Sequence, residues 1–381
     1  MRAAIAVMTL LACLKLGDEF RRLVWQSDFN GAIDLRQRQN EVQRWFGGLP
    51  VYGEVPTAVY PPASYSMLWP LLGWLGLAQA RWLWAVTATA CLAWLSALAT
   101  VESRARSRLE RAFAALLPLS MNAAGVALGN GQPIIHVLPL LIASVLLVQR
   151  RPAGWRRDLA AAFIFLPALV KPSLSAPFLW LLLLARGGLR VVLLVAGGYL
   201  GLTLLAARFQ SLGVTALVSA WVATLSGIGA DGYAELHTLL VETHHPGWSL
   251  ASSGAALLAL GAWVYRHRRE DPWLLLGVTG VVARLWTYHR VYDDLLILLP
   301  MLSLCRITRT APSGRAAWWA AGLLAASVAA MLMPARLVES PWAWAFSGTH
   351  AVVWIAALLF LLVRARRERA QLTAVGLSGS A

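Results

Sequence analysis

Charged residues are scarce in this chain. Asp, Glu, Lys and Arg make up 13% of its 381 residues, about half the share of a soluble domain. A water-facing surface needs more charge than that, so most of the surface must face lipid. Cysteine is nearly absent as well. Cys13, Cys91 and Cys305 each lie in or at the end of an apolar run, which excludes the disulfide framework of a small secreted domain. The chain has no GxSxG elbow, P-loop, CxxC or HExxH motif, no internal repeat and no low-complexity tract. No A-x-A site follows the first apolar run, so Leu10–Cys13 reads as part of a first helix rather than a processing signal.

What is present is apolar and basic. Hydrophobic residues make up 59% and the formal net charge is +15. Such a charge invites a nucleic-acid reading, but its distribution excludes one. Arginines cluster in short turns between apolar runs: Arg104–Arg111, Arg150–Arg157, Arg186/Arg190, Arg266–Arg269, Arg306–Arg315 and Arg364–Arg369. Basic turns facing anionic headgroups account for the excess. By the positive-inside rule these turns are cytoplasmic.

A span needs roughly 17–25 residues. Apolar runs at 3–16, 82–100, 112–128, 133–148, 159–170, 173–185, 191–206, 249–265, 272–287, 294–305, 316–333 and 349–363 predict an all-α, polytopic membrane protein with about 12 transmembrane helices. Both termini are then cytoplasmic. Residues 1–369 form one domain, and 370–381 read as a disordered cytoplasmic tail. The apolar stretch 62–78 reads as re-entrant or interfacial, because a further span would turn Arg104–Arg111 outward; 209–228 is read the same way.

Two extracytoplasmic loops are long. In the first, 17–61, the spacing of Leu35, Val42, Trp45 and Phe46 predicts a helix from Asp34 to Phe46 lying flat on the membrane. The second, 207–248, contains Asp231, Glu235, His237, Glu242, His244 and His245. Trp45, Trp221, Trp248, Trp286, Trp342 and Trp344 suit an outer aromatic belt.

The polar residues able to do chemistry fall on that same outer side. Asp34 suits a general base acting on an acceptor hydroxyl, with Asp28 the near alternative; a helix-start acid favoured by the macrodipole is the plainer reading. Tyr60 stands before Pro61-Pro62, which fixes an extended entry into the re-entrant helix. Asn130 and Gln132, in the turn Gly129–Pro133, offer amides to sugar hydroxyls. Lys171 interrupts an apolar stretch, and an ionisable group at that depth suggests a phosphate clamp. His289, Arg290 and Asp293 sit in a turn able to orient a phosphate group. His244 and His245 add further polar contacts, but no ligand spacing for a metal is present.

These pieces, in this order, resemble glycosyltransferase family 87, the polyprenyl-phosphate-mannose-dependent mannosyltransferases of GT-C type. The carrying residues are Asp34-Leu35, Gly48-Leu49-Pro50-Val51-Tyr52, Tyr60-Pro61-Pro62, Gly131-Gln132, Val170-Lys171-Pro172 and Tyr288-His289 with Asp293. The resemblance implies a GT-C-like fold in a bacterial-type plasma (inner) membrane. It also implies a polyprenyl-phosphate sugar donor and an acid in the first outer loop as catalytic base. Lys171, Arg290 and His289 are then expected to hold the donor phosphate. Tyr60, Asn130, Gln132, His244, His245 and Asp293 are expected to line the substrate site. The acceptor is expected to be a lipid or glycan hydroxyl, membrane lipids are the surroundings, and no cofactor or metal is called for, because side chains hold the leaving phosphate. Where the family pattern continues with Val-Tyr-Tyr this chain has Arg36-Gln37-Arg38, so the sugar is left open. A transporter or flippase for a lipid-linked or anionic substrate is the alternative; such folds show repeats and midplane polar residues, and here neither is seen.

Overall fold

The computed structural model describes residues 1–226, 232–310 and 314–378; Asp231 lies outside the described residues. Among the described residues every regular element is a helix. The first half runs α1 (Arg2–Trp25), α2 (Ile33–Phe46), α3 (Pro62–Leu72), α4 (Leu77–Glu102), α5 (Arg108–Ser120), α6 (Asn122–Asn130) and α7 (Ile134–Arg150). Then come α8 (Trp155–Phe165), a 3-10 turn Leu166–Val170, α9 (Pro172–Ser175), α10 (Leu179–Leu183), α11 (Gly188–Ala207) and α12 (Val214–Ser226). The second half holds α13 (Leu236–Glu242), α14 (Ser249–His267), α15 (Pro272–Leu285), a 3-10 helix Val291–Ile297, α16 (Leu298–Thr310), α17 (Arg315–Met331) and α18 (Ala343–Ser378).

Four helical stretches are long and apolar enough to cross a membrane by themselves: α4, α11, Pro246–His267 and Ala343–Arg367. A fifth is α5 with α6, bent by 44° between them. Run 3–16 lies in the 24-residue α1, whose polar second half keeps it out of that set. Most of the other apolar runs fold as shorter helices, so the count of about twelve crossings is not established by helix length.

Local chemistry explains where the helices depart from the sequence reading. α1 extends past residue 16 because its polar residues pair along their own helix. Lys15 meets Glu19 at 2.9 Å, Arg22 meets Glu19 at 3.0 Å and Arg21 meets Asp18 at 3.1 Å. Pairs at these spacings support a helix rather than end it. Glu19 itself is buried against α6, where a Cβ on Gly129 would come within 1.8 Å of its carboxylate.

The helix expected over 34–46 is present as α2, and Leu35, Val42 and Trp45 are fully buried. Arg38, Gln39 and Glu41 share that buried face, while Asn40 and Gln43 on the opposite face are exposed. Trp45, expected in the aromatic belt, is buried inside the protein instead. Its indole donates to the Ala206 carbonyl at 2.9 Å and stacks on Tyr65 with ring centroids 4.5 Å apart. Trp248, Trp342 and Trp344 are exposed.

At 11 residues, α3 is roughly 16 Å long, half of a hydrocarbon core of about 30 Å. It packs against α2 and α11 with most of its residues buried.

Candidate active site

Proline breaks a helix to deliver the central cation. Pro172 lacks a backbone donor and disfavours the α region for the residue before it. Lys171 accordingly adopts φ −129° and ψ 85°, between the 3-10 turn and α9. Its ammonium donates to both oxygens of Asp293, each at 2.8 Å. The same ammonium lies 4.9 Å from the centre of the Tyr292 ring.

Asp293 also meets His289 Nδ1 at 3.0 Å, and it caps its own 3-10 helix by accepting from the Arg290 amide at 3.4 Å. Burial alone would raise its carboxyl. The Lys171 charge and the His289 contact outweigh that and hold it well below the usual range. His289 is fully buried, and its Nε2 has no hydrogen-bond partner among the described residues.

Asp294 goes elsewhere. In a 3-10 helix of three residues per turn, successive side chains point about 120° apart. Asp294 therefore faces Arg284, whose Nε donates to it at 2.5 Å, and it accepts from the Tyr233 hydroxyl. The Arg284 guanidinium is sandwiched by aromatics, 4.8 Å from the Tyr233 ring centre and 4.7 Å from that of Trp354. Arg284 is completely buried. Through Tyr233, this pair ties the segment before α13 to the core.

Asp34 contributes from α2. It is half-buried and carries no hydrogen bond or ion pair among the described residues. Burial raises the phenols of Tyr60 and Tyr292, and Asp34 and Asp293 each add to both shifts through space. The two acids, from helices far apart in sequence, thus act on the same pair of phenols.

The α2 face continues one and two turns on, through Arg38 and Glu41. These two pair at 2.7 Å, Arg38 lies 4.6 Å over the Tyr60 ring, and Glu41 accepts from Thr57 at 2.9 Å. Burial pushes the Glu41 carboxyl up to about 7, even with Arg38 beside it. The sequence reading missed both residues, although the spacing 34, 38, 41 marks one helical face.

Asp28 is held differently. It is exposed, bonded to the Gln26 side-chain amide at 2.9 Å and the Asn30 backbone amide at 3.0 Å. The Gln26 bond leads the causes that hold its carboxyl below the usual value. It builds a turn.

The turn after α6 sits against the Asp34 helix. Gly131 has φ +75°, and a Cβ there would come within 2.5 Å of the Leu35 side chain, so glycine meets both demands at that position. Gln132 is buried beside it with its Oε1 unpartnered among the described residues, while Asn130 accepts from Arg22 of α1. Arg290 is exposed and donates to the Tyr288 hydroxyl at 2.5 Å. His244 and His245 are exposed beyond the end of α13 and make no side-chain hydrogen bond to the cluster among the described residues. Among those residues no group of three or more His, Cys, Asp or Glu is placed to hold a metal.

No curated protein and no solved structure matches the chain. The family model of glycosyltransferase family 87 matches residues 58–294. That stretch contains Tyr60, Gln132, Lys171, His289 and Asp293, and begins after Asp28 and Asp34. With more than half of its length matched and its apolar helices arranged around this cluster, the chain belongs to glycosyltransferase family 87 and is a membrane glycosyltransferase.

Proposed function

We propose that the protein transfers one hexose, with mannose the first candidate, from a polyprenyl-phosphate carrier to a hydroxyl of a lipid or glycan. The site would face the extracytoplasmic side of a bacterial-type inner membrane. The arginine-rich turns support that orientation. With about twelve crossings, the short helices α8, α9–α10 and α15 would pair into broken spans around the site.

One observation carries the reading: Asp34, a half-buried carboxylate without a partner among the described residues, shares the neighbourhood of Tyr60 and Tyr292 with Lys171 and the buried Asp293 and His289. In the reaction the acceptor hydroxyl gives its proton to Asp34 and its oxygen bonds the anomeric carbon. The bond from that carbon to the phosphate oxygen breaks, and its electron pair leaves with polyprenyl phosphate. Charge then grows on the phosphate. An ammonium has three N–H donors; Asp293 takes two from Lys171, and the third is available to the phosphate. Fixed donors of this kind stabilise developing charge without reorganising. Single displacement inverts the anomeric centre.

The test is incubation of the purified protein in nanodiscs with labelled polyprenyl-phosphate mannose, its glucose counterpart and an extracted acceptor pool. Label should move to an acceptor with stoichiometric release of polyprenyl phosphate. Intact donor crossing a proteoliposome bilayer, with no bond cleaved, would replace this reading with the transporter one.

A further inference from the structure

A second site lies at the far end of α16. Sixteen residues, roughly 25 Å of helix, separate Asp293 from Arg309. There a cavity of about 690 Å³ opens between the first turns of α1, the start of α5, the end of α16 and one face of α17. That volume is within the range of ligand pockets, about 300–1,000 Å³.

Its walls are apolar. They include Val7, Phe113, Cys305 and Val328, and extend along α17 from Ala321 to Leu332, roughly 16 Å of helix. Ala321, Ala325 and Ala329 are exposed on that wall, so the groove is open sideways rather than sealed in the core. An apolar slot of this length beside the bilayer fits a hydrocarbon chain.

The mouth is charged. Glu110 and Arg309 line it and pair at 3.1 Å, which consumes the acid. Glu110 also accepts from the Arg106 amide at 2.7 Å, while the Arg106 guanidinium donates to the Arg309 carbonyl at 3.3 Å. The elements that line the cavity carry further exposed arginines at their starts: Arg108 and Arg111 in the first turn of α5, Arg106 just before it, Arg2 at the start of α1 and Arg315 at the start of α17. None of these five has an ion pair among the described residues. A long apolar slot beneath uncompensated guanidinium groups has the charge and shape of one ligand class.

We infer that this groove binds one anionic phospholipid, an acyl chain along α17 and the headgroup phosphate on the α5 arginines. The site is separate from the transfer site and does not depend on the donor assigned to it. Basic pockets between membrane helices recognise anionic headgroups through guanidinium–phosphate contacts.

Native mass spectrometry of the full chain, titrated with phosphatidylglycerol or phosphatidylcholine, tests it. Phosphatidylglycerol should bind one per chain, at least tenfold tighter than phosphatidylcholine. At about 1 kcal/mol per basic residue, Arg108→Ala with Arg111→Ala should weaken phosphatidylglycerol roughly 30-fold and leave phosphatidylcholine unchanged. Ala325→Phe should fill the slot and remove the bound lipid; if that variant does not fold, the arginine pair still decides. Equal retention of the two lipids, undiminished phosphatidylglycerol binding in the arginine double variant, or displacement of phosphatidylglycerol by equimolar polyprenyl phosphate would each overturn the assignment.

Discussion

Asp34 and Asp293 are both acids of the proposed site, held in opposite ways. Asp293 is buried, with two hydrogen bonds from Lys171 and a third contact to His289. Asp34 is half-buried and has no hydrogen bond or ion pair among the described residues. The first arrangement spends the carboxylate on fixing a cation in place. The second leaves a carboxylate able to take a proton. Asp294, next in sequence to Asp293, shows a third use: with Arg284 and Tyr233 it locks a loop to the core. Partnering, rather than residue type, separates the acid suited to chemistry from the acids that hold the frame.

That contrast can be broken from its rigid side first. Arg284→Ala leaves Asp294 buried without its cation, and removing one member of a buried pair costs about 3–5 kcal/mol. The expected result is loss of folded protein by size exclusion and a lowered melting temperature; a stable Arg284→Ala protein would show that the pair is not structural.

Lys171→Ala comes next. The proposed phosphate contact predicts a roughly 10- to 150-fold lower transfer rate, from about 1.5–3 kcal/mol for a charge-assisted contact. A double variant, Lys171→Met with Asp293→Leu, sharpens the test, because replacing a buried pair by apolar residues is often neutral for stability. It should melt near the wild type and still transfer poorly. Recovered activity would reduce the pair to a structural one.

Glu41 offers a smaller, pH-dependent effect. Its folded pKa of about 7 lies above the ordinary value of 4.5, so the protonated form is favoured in the folded state. Its stabilising contribution is complete below about pH 4.5 and fades as pH rises through about 7. Relative to Glu41→Gln, the wild type should therefore lose on the order of 1–3 kcal/mol between pH 5 and pH 8. Parallel melting profiles for the two proteins would contradict the burial argument. Smallest of all, Asp28→Asn should change transfer hardly at all and stability by no more than about 0.5 kcal/mol, since its carboxylate shapes an exposed turn. A dead Asp28→Asn enzyme would move the base to that residue.

Much of this was legible in the chain. Pro172 announces the break that presents Lys171, and the spacing of Leu35, Val42 and Trp45 announces α2. The family-matched stretch, residues 58–294, takes in the positions from Tyr60 to Asp293. What was not legible depends on contacts between distant residues. The partner of Lys171 lies 122 positions away, and no local pattern names it. The different directions of Asp293 and Asp294 come from a 3-10 turn, which leaves no hydrophobic period to read. Arg38 and Glu41 were visible on the Asp34 face, but nothing local says that charged residues there are buried with Leu35, Val42 and Trp45. His244 and His245 suggested chemistry by type alone; the left-handed backbone at His244, with φ +62°, belongs to a turn that leaves both rings exposed.

The most direct test of the account is transfer from polyprenyl-phosphate sugar by Asp34→Asn, measured beside the wild type under donor saturation in nanodiscs. The substitution keeps the size of the side chain and removes only its ability to accept the proton. The account predicts a rate lower by about 10²–10⁴-fold, with unchanged melting temperature and unchanged donor retention. Near-normal turnover by Asp34→Asn would contradict it.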